Sequence, residues 1–349
     1  MNSHPRLSVL DLVPVRSGQT SAQAVAASLE LVRLADRLGF VRYWFAEHHN
    51  MPAVASTSPP VLAAAAATAT RRIRVGSGGV MLPNHAPLIV AEQSSALAAL
   101  APGRVDLGLG RAPGSDSVIT QLLRYTGPTS DVDRFGDQVA EIIALMHPDG
   151  ASLQLSNGQV YDVRSTPAAD VPAEVWLLGS SDFSARLAAE MGLPYVFANH
   201  FPGAGLEQVV GLYRARYQPS EDHPTPVTFL TVNVSVAPTE EEARRRALPQ
   251  QRMMVRLRTG QPLTALETVE EAEAAGLDPA TAALVEQIAS RWIIGEPGPA
   301  ATQLRDLAAS IGVEEVMLVP IAGSFDGEPA DQTPGRTQSV SLLAEALAG

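Results

Sequence analysis

Apolar positions along the chain alternate between short runs and longer stretches with helical spacing. Residues 7–15, Leu-Ser-Val-Leu-Asp-Leu-Val-Pro-Val, read as a first strand. Residues 21–38 carry Val25, Leu29 and Val32 on one helical face, and Gly39 stops the helix. The same rhythm predicts a strand at 43–49 and a helix at 59–70, then a strand at 73–82 and a helix at 87–100 opened by proline. A strand at 104–111 and a helix at 131–146 follow. The alternation pauses at 147–172, where Asn157-Gly158 separates Leu-Gln-Leu from Val-Tyr-Asp-Val, the pattern of a hairpin inserted into a loop. It resumes with strands at 174–178, 195–198 and 226–237 and helices at 183–191 and 206–217. A long charged helical stretch spans 239–288, with breaks at Pro249, at 260–262 and at Gly276. A helix at 300–311, a strand at 315–321, a Gly/Pro/Asp-rich linker at 322–335 and a closing helix at 339–347 complete the chain.

About eight strand–helix units in strict alternation predict an α/β protein, a (β/α)8 TIM barrel. It carries a hairpin insertion before strand five and a long helical insertion after strand seven, and residues 1–349 are expected to form one domain. An open doubly wound sheet is the rival, and counting units does not separate the two.

Composition narrows the chemistry. The 349 residues include no cysteine, which removes disulfides, thiolate metal sites and cysteine nucleophiles. Lysine is also absent, so all 25 basic residues are arginine, and neither a Schiff-base lysine nor a P-loop lysine exists. A net charge of −12 argues against nucleic-acid binding. The first ten residues hold no apolar leader run, and the most apolar stretch, 60–69, is too short to span a bilayer. The expectation is a cytoplasmic protein with no membrane association.

In a parallel barrel, chemistry sits at the C-terminal ends of the strands. Strand two ends in Glu47-His48-His49; strand alternation turns the two histidines to opposite faces, so a shared metal is disfavoured. The cluster handles protons or contacts a cofactor, or else is a satisfied structural cluster. Strand three carries Gly76-Ser77-Gly78-Gly79, fit for the close approach of something flat or for a bulge at a barrel corner. Strand four ends in Gly108-Leu109-Gly110-Arg111-Ala112-Pro113-Gly114, which misses the dinucleotide spacing by one residue. Arg111 there clamps a phosphate or makes a surface ion pair. Strand five ends in Leu178-Gly179-Ser180-Ser181-Asp182-Phe183-Ser184 and runs straight into a helix, an anion site or a plain N-cap at Ser181 or Asp182. Strand six ends in Phe197-Ala198-Asn199-His200-Phe201, whose polar residues line a pocket or form a turn.

Five of these features fall in order. They are Glu47-His48-His49, Gly-Gly-Val-Met-Leu-Pro at 78–83, Gly-Leu-Gly-Arg at 108–111, the Leu-Gly-Ser-Ser of unit five with the Ser-Ala-Arg-Leu-Ala-Ala-Glu-Met-Gly-Leu-Pro that follows it, and Ile-Gly-Glu-Pro at 294–297. With the opening strand, and over about residues 7–321, the chain resembles the bacterial-luciferase-like flavin-dependent monooxygenases in their single-chain branch. The resemblance implies a barrel that binds reduced FMN, supplied by a separate flavin reductase. Such enzymes oxidise a small organic substrate with O2 through a peroxyflavin. It makes His48 the catalytic acid/base, supported by Glu47 and His49. It gives the FMN site to Gly78, Gly79, Arg111, Gly179, Ser180, Ser181 and Ser184, with a non-proline cis peptide at Gly78–Gly79 and no metal. Asp11, Asn199 and His200 are further pocket candidates, and a homodimer paired through helices on one side is expected. One departure stands out: Ser180 occupies a position where luciferase carries a glutamate, which tells against light emission on long-chain aldehydes. Two alternatives remain. One is hydride transfer with the deazaflavin F420, whose acidic tail asks for a basic rim such as Arg71, Arg72 and Arg74 would give; the other is flavin binding without turnover.

Overall fold

The computed structural model describes residues 4–112, 114, 117–124, 132–200 and 205–349. Pro113, Asp131 and Phe201, which the sequence reading placed in a strand end, a helix start and a pocket, lie outside them.

Eleven strands are described: β1 (Arg6–Asp11), β2 (Arg42–Phe45), β3 (Arg74–Met81), β4 (Val105–Gly110), β5 (Ala151–Gln154), β6 (Val160–Val163), β7 (Glu174–Gly179), β8 (Tyr195–Phe197), β9 (Thr228–Val236), β10 (Ile293–Gly295) and β11 (Glu315–Pro320). The helices that matter below are α1 (Ser21–Arg37), α2 (Pro59–Ala69), α3 (Pro87–Leu100), α4 (Ser117–Arg124), α5 (Phe135–Met146), α6 (Asp182–Glu190), α7 (Leu206–Arg216), α8 (Glu240–Thr259), α9 (Val269–Ala274), α10 (Pro279–Ala289), α11 (Pro297–Ile311) and α12 (Pro334–Ala348). The parallel order β9-β11-β1-β2-β3-β4-β7-β8 closes on itself because β8 also pairs with β9. This is the predicted (β/α)8 barrel, and the closing pair excludes the open sheet. Strands β5 and β6 form the inserted antiparallel hairpin before β7. Helices α8, α9 and α10 form the insertion after β9.

Three details differ from the sequence reading. Pro249 does not break α8 but sits buried inside it. Near it, the Arg246 carbonyl accepts from the Gly323 N–H at 2.6 Å, so the loop after β11 satisfies a backbone group beside the proline. Helix α4 and strand β10 were not foreseen, and α12 begins five residues earlier than expected, inside the predicted linker. Strand β2 ends at Phe45, so Glu47, His48 and His49 stand in the loop beyond it.

Two buried regions hold the barrel together. One lies between the sheet and the outer helices, with Val9, Phe45, Val75, Leu109, Phe135 and Leu304 among its members. The other fills the barrel interior in layers. Arg42 forms the floor, its guanidinium 4.4 Å from the Trp176 ring centroid and hydrogen-bonded to Asp106 at 3.0 Å and Glu315 at 2.8 Å. Trp44, Trp176 and Phe229 form the next layer, with ring centroids 5.0 to 5.6 Å apart. Leu10, Ala46, Leu178 and Val196 cap it. Among the described residues no helix is long and apolar enough to cross a membrane.

Candidate functional site

That top layer is the base of an open cavity of about 930 Å³ at the C-terminal ends of the strands. Its lining includes His48, Gly78, Gly79, Arg111, Gly179, Ser180, Ser181, Ser184, Ala198 and His200. The structure therefore brings together one of the three candidate acid/base residues and all seven candidate cofactor residues.

The glycines of β3 and β4 make the strands approach closely. A Cβ on Gly78 would stand 2.7 Å from Leu10 Cδ1, and one on Gly79 would stand 2.7 Å from the Gly108 carbonyl oxygen. The Gly78–Gly79 peptide is cis, and the register between β3 and β4 shifts between Gly78 and Val80. The register shift is the bulge that the sequence offered as one reading of these glycines.

Helix α6 opens on the cavity. Ser181 is its N-cap, yet no side chain caps the first turn, and Asp182 is engaged with Arg186 at 2.9 Å. The first-turn N–H groups thus meet the cavity beside Ser184, which is 3% exposed. A Cβ on Gly179 would lie 2.8 Å from Ser184 Oγ and 3.1 Å from its Cβ, so a side chain there would press Ser184 out of its position. From the opposite side, the Arg111 guanidinium stacks 3.9 Å from the centroid of the Phe183 ring, which fixes a cation at the mouth of the helix dipole. Hydroxyls, uncapped N–H groups and a guanidinium around one spot fit a phosphate.

The polar cluster after β2 divides in two. His48 faces the cavity, while Glu47 and His49 do not line it. Glu47 is 1% exposed and accepts from the Met81 N–H at 3.0 Å, His49 Nε2 at 2.8 Å and His85 Nε2 at 2.7 Å. Burial alone would raise its pKa, but these hydrogen bonds outweigh burial and hold it down at about 2. Glu47 is an ionised clamp that ties the β2 loop to the end of β3. Burial lowers the pKa of His48, so its imidazole is neutral near pH 7.

His200 is the second imidazole in the cavity. Burial, and then the neighbouring His48, lower its pKa to about 3. Its Nδ1 lies 2.6 Å from Thr231 Oγ1, which also accepts the His200 backbone N–H at 3.1 Å. The same hydroxyl lies 3.5 Å from the Phe197 carbonyl, a longer contact than the one to the His200 ring. Asn199 turns aside to accept from Arg291 at 2.5 Å. Asp11 is fully buried, held by Arg336 and Tyr43 at 2.5 Å each. Sequence reasoning missed His85 and Thr231; each meets the site only through the fold, and no local spacing announces it.

Arg71, Arg72 and Arg74 stand at or before the N-terminal end of β3, the end of the barrel away from the cavity. Arg74 pairs with Asp106 and Glu174, and the backbone N–H groups of Arg71 and Arg72 donate to Asp36. They form no rim to the mouth, and that expectation is corrected.

A family model described as luciferase-like monooxygenase matches residues 6–315. A luciferase-like monooxygenase of Escherichia coli is 38% identical over 314 residues, covering 89% of this chain and 90% of its own. An N-acetyl-S-alkylcysteine monooxygenase of Bacillus subtilis is 34% identical over 276 residues, 77% of this chain and 78% of its own. Among solved structures, apo-MsnO8 superposes with a TM-score of 0.85 at 33% identity, covering 100% of this chain and 99% of its own. The fold is also that of the oxygenating constituent of 3,6-diketocamphane monooxygenase from Pseudomonas putida in complex with FMN, with a TM-score of 0.72, 19% identity and coverage of 99% and 98%. An F420-dependent secondary alcohol dehydrogenase shares it too, with a TM-score of 0.64, 14% identity and coverage of 97% and 99%.

Proposed function

The chain belongs to the luciferase-like monooxygenase family, and from that premise we propose that it oxidises a small organic substrate with O2 using reduced FMN delivered by a separate flavin reductase. The observation that carries this reading is the uncapped start of α6, which brings Ser184 and, stacked on Phe183, Arg111 to the cavity that Gly78 and Gly79 also line. Arg111, Ser181, Ser184 and the N–H groups beyond Gly179 and Ser180 would hold the FMN phosphate. Gly78 and Gly79 would lie under the ring system, where a Cβ has no room. Bound reduced flavin supplies the electrons that activate O2. The buried neutral imidazole of His48 accepts or returns a proton at the reacting oxygen, and Glu47 with His49 and His85 fixes the loop that carries it.

Coenzyme F420 with hydride transfer is the competing cofactor on this fold. The placement of Arg71, Arg72 and Arg74 at the far end of the barrel speaks against it. A homodimer is part of the proposal. Val61 on α2 (67% exposed) and Ile89 on α3 (48% exposed) offer an apolar face for a second copy, and light scattering of the purified chain would give its mass.

The deciding experiment is an oxygen-free titration with FMN, reduced FMN, riboflavin and F420. Reduced FMN should bind at least about tenfold tighter than riboflavin or F420, and Arg111→Ala should close the gap between FMN and riboflavin. His48→Ala should keep FMN affinity and lose on the order of a hundredfold in substrate oxidation. Preference for F420 would overturn the cofactor assignment, and full turnover in His48→Ala would remove the acid/base role.

A further inference from the structure

A second, smaller open cavity adjoins the first. Leu10 and His200 line both, so His200 stands at the boundary between them. The second cavity lies between the ends of β1, β9 and β11 and the inner side of α8, which contributes Gln250 and Met254.

We propose that this cavity is the substrate chamber, and that it takes an uncharged compound with an apolar body and a carbonyl-type acceptor, such as an amide or a ketone. The assignment rests on the flavin reading, because the two cavities share Leu10 and His200 and an occupant of one lies beside the other.

The lining is mostly apolar, with Leu12, Pro14, Met254, Leu266 and Ile321 as its walls. Its formal charges, among the described residues, are Asp11 and Arg336. Those two neutralise each other: Arg336 Nη2 donates to Asp11 Oδ1 at 2.5 Å, and its Nε donates to the Pro320 carbonyl at 3.1 Å. Tyr43 and the Val13 N–H hold the same carboxylate at 2.5 and 2.7 Å. A charged group entering the chamber would lose its water and meet a pair already satisfied. A neutral acceptor is better provided for. Gln250 and Trp292 both line the chamber, and neither makes a side-chain hydrogen bond among the described residues, which leaves their N–H groups as donors for an occupant. Asn233 donates through Nδ2 to the His200 carbonyl at 3.0 Å, which leaves its Oδ1 as the acceptor for a substrate N–H. A chamber with apolar walls, two unused donors and no net charge selects on polarity without charge.

Calorimetric titration of the full-length chain, without flavin and near neutral pH, tests this with matched pairs: phenylacetamide against phenylacetate, and hexanamide against hexanoate. The amides should bind saturably and at least about tenfold tighter than their carboxylates. Gln250→Leu and Trp292→Phe should each weaken the amides by about fivefold and narrow the gap, while FMN affinity, measured separately, stays as in the parent chain. Equal or tighter binding of the carboxylates would overturn the proposal. Saturable binding of neither amide would also overturn it, as would variants that leave the preference intact. A chain that prefers amides but binds no FMN would sink the flavin reading and leave the chamber standing.

Discussion

At the scale of single residues, Glu47 shows how far a motif read in sequence can be from its part in the fold. The cluster Glu47-His48-His49 was legible as three polar residues ending an apolar strand, and its division was not. His48 reaches the cavity, while Glu47 collects donors from His49, from Met81 and from His85, a loop residue with no sequence signal of its own. The consequence is measurable. The Glu47 pKa falls from 4.5 to about 2 on folding, so the ionised form is stabilised in the native state. A depressed carboxylate contributes stability that is fully present above its unfolded pKa and is lost as pH falls through the folded one. Here the window runs from near 4.5 down to about 2. The shift corresponds to about 3 kcal/mol. Glu47→Gln should lower the free energy of urea unfolding by roughly that amount near neutral pH and flatten its pH dependence within that window. An unchanged acid limb would mean that the two histidines do not hold the carboxylate in solution.

At the scale of elements, periodicity was a good guide wherever an element buries one face against the barrel, and a poor one elsewhere. The alternation located every barrel strand because each is a run of residues buried on both faces. Helix α4, which exposes Val118 and Leu122, lacks that burial signal, and β10, at three residues, is too short for a pattern to show. Pro249 misled for the opposite reason, since a proline reads as a stop and the loop that packs against it comes from 74 residues further on, at Gly323. The glycines were legible as a pattern but ambiguous in meaning. On β4, Gly108 and Gly110 face the same way two residues apart, yet their surroundings differ. A Cβ on Gly108 would stand 2.2 Å from the Ser77 carbonyl oxygen, a backbone atom of the adjacent strand. A Cβ on Gly110 would stand 3.5 Å from Met81 Sδ, an ordinary contact. Gly108→Ala should therefore destabilise by about 3 kcal/mol or fail to fold, and Gly110→Ala should change stability by less than about 1 kcal/mol. Thermal unfolding of the pair distinguishes them; similar losses would show that the strands give way more easily than their spacing suggests.

At the scale of the whole molecule, the barrel separates stability from chemistry along its axis. The floor is a buried ion cluster in which Arg42, 6% exposed, bridges Asp106 and Glu315 and lies under the rings of Trp44, Trp176 and Phe229. Removing its charge leaves two carboxylates in a dry interior, although Asp106 keeps Arg74 and the Trp44 indole N–H, and Glu315 keeps Ser8. Breaking one member of such a cluster costs about 3–5 kcal/mol. Arg42→Met preserves much of the side-chain volume and should lower the unfolding midpoint by that equivalent. The folded fraction should bind FMN as the parent does, because the ring layer and the Leu10, Ala46, Leu178 and Val196 layer lie between the floor and the cavity. Arg111→Ala should do the reverse, lowering FMN affinity with little change in stability, since Arg111 stands at the open end and packs on Phe183 alone among the aromatic rings described. The two variants together form the test. If Arg42→Met also weakens FMN, the contact by which Trp44 confines Gly78 carries strain from floor to mouth. The barrel would then have to be described as one coupled stack, with the cofactor site depending on every layer beneath it.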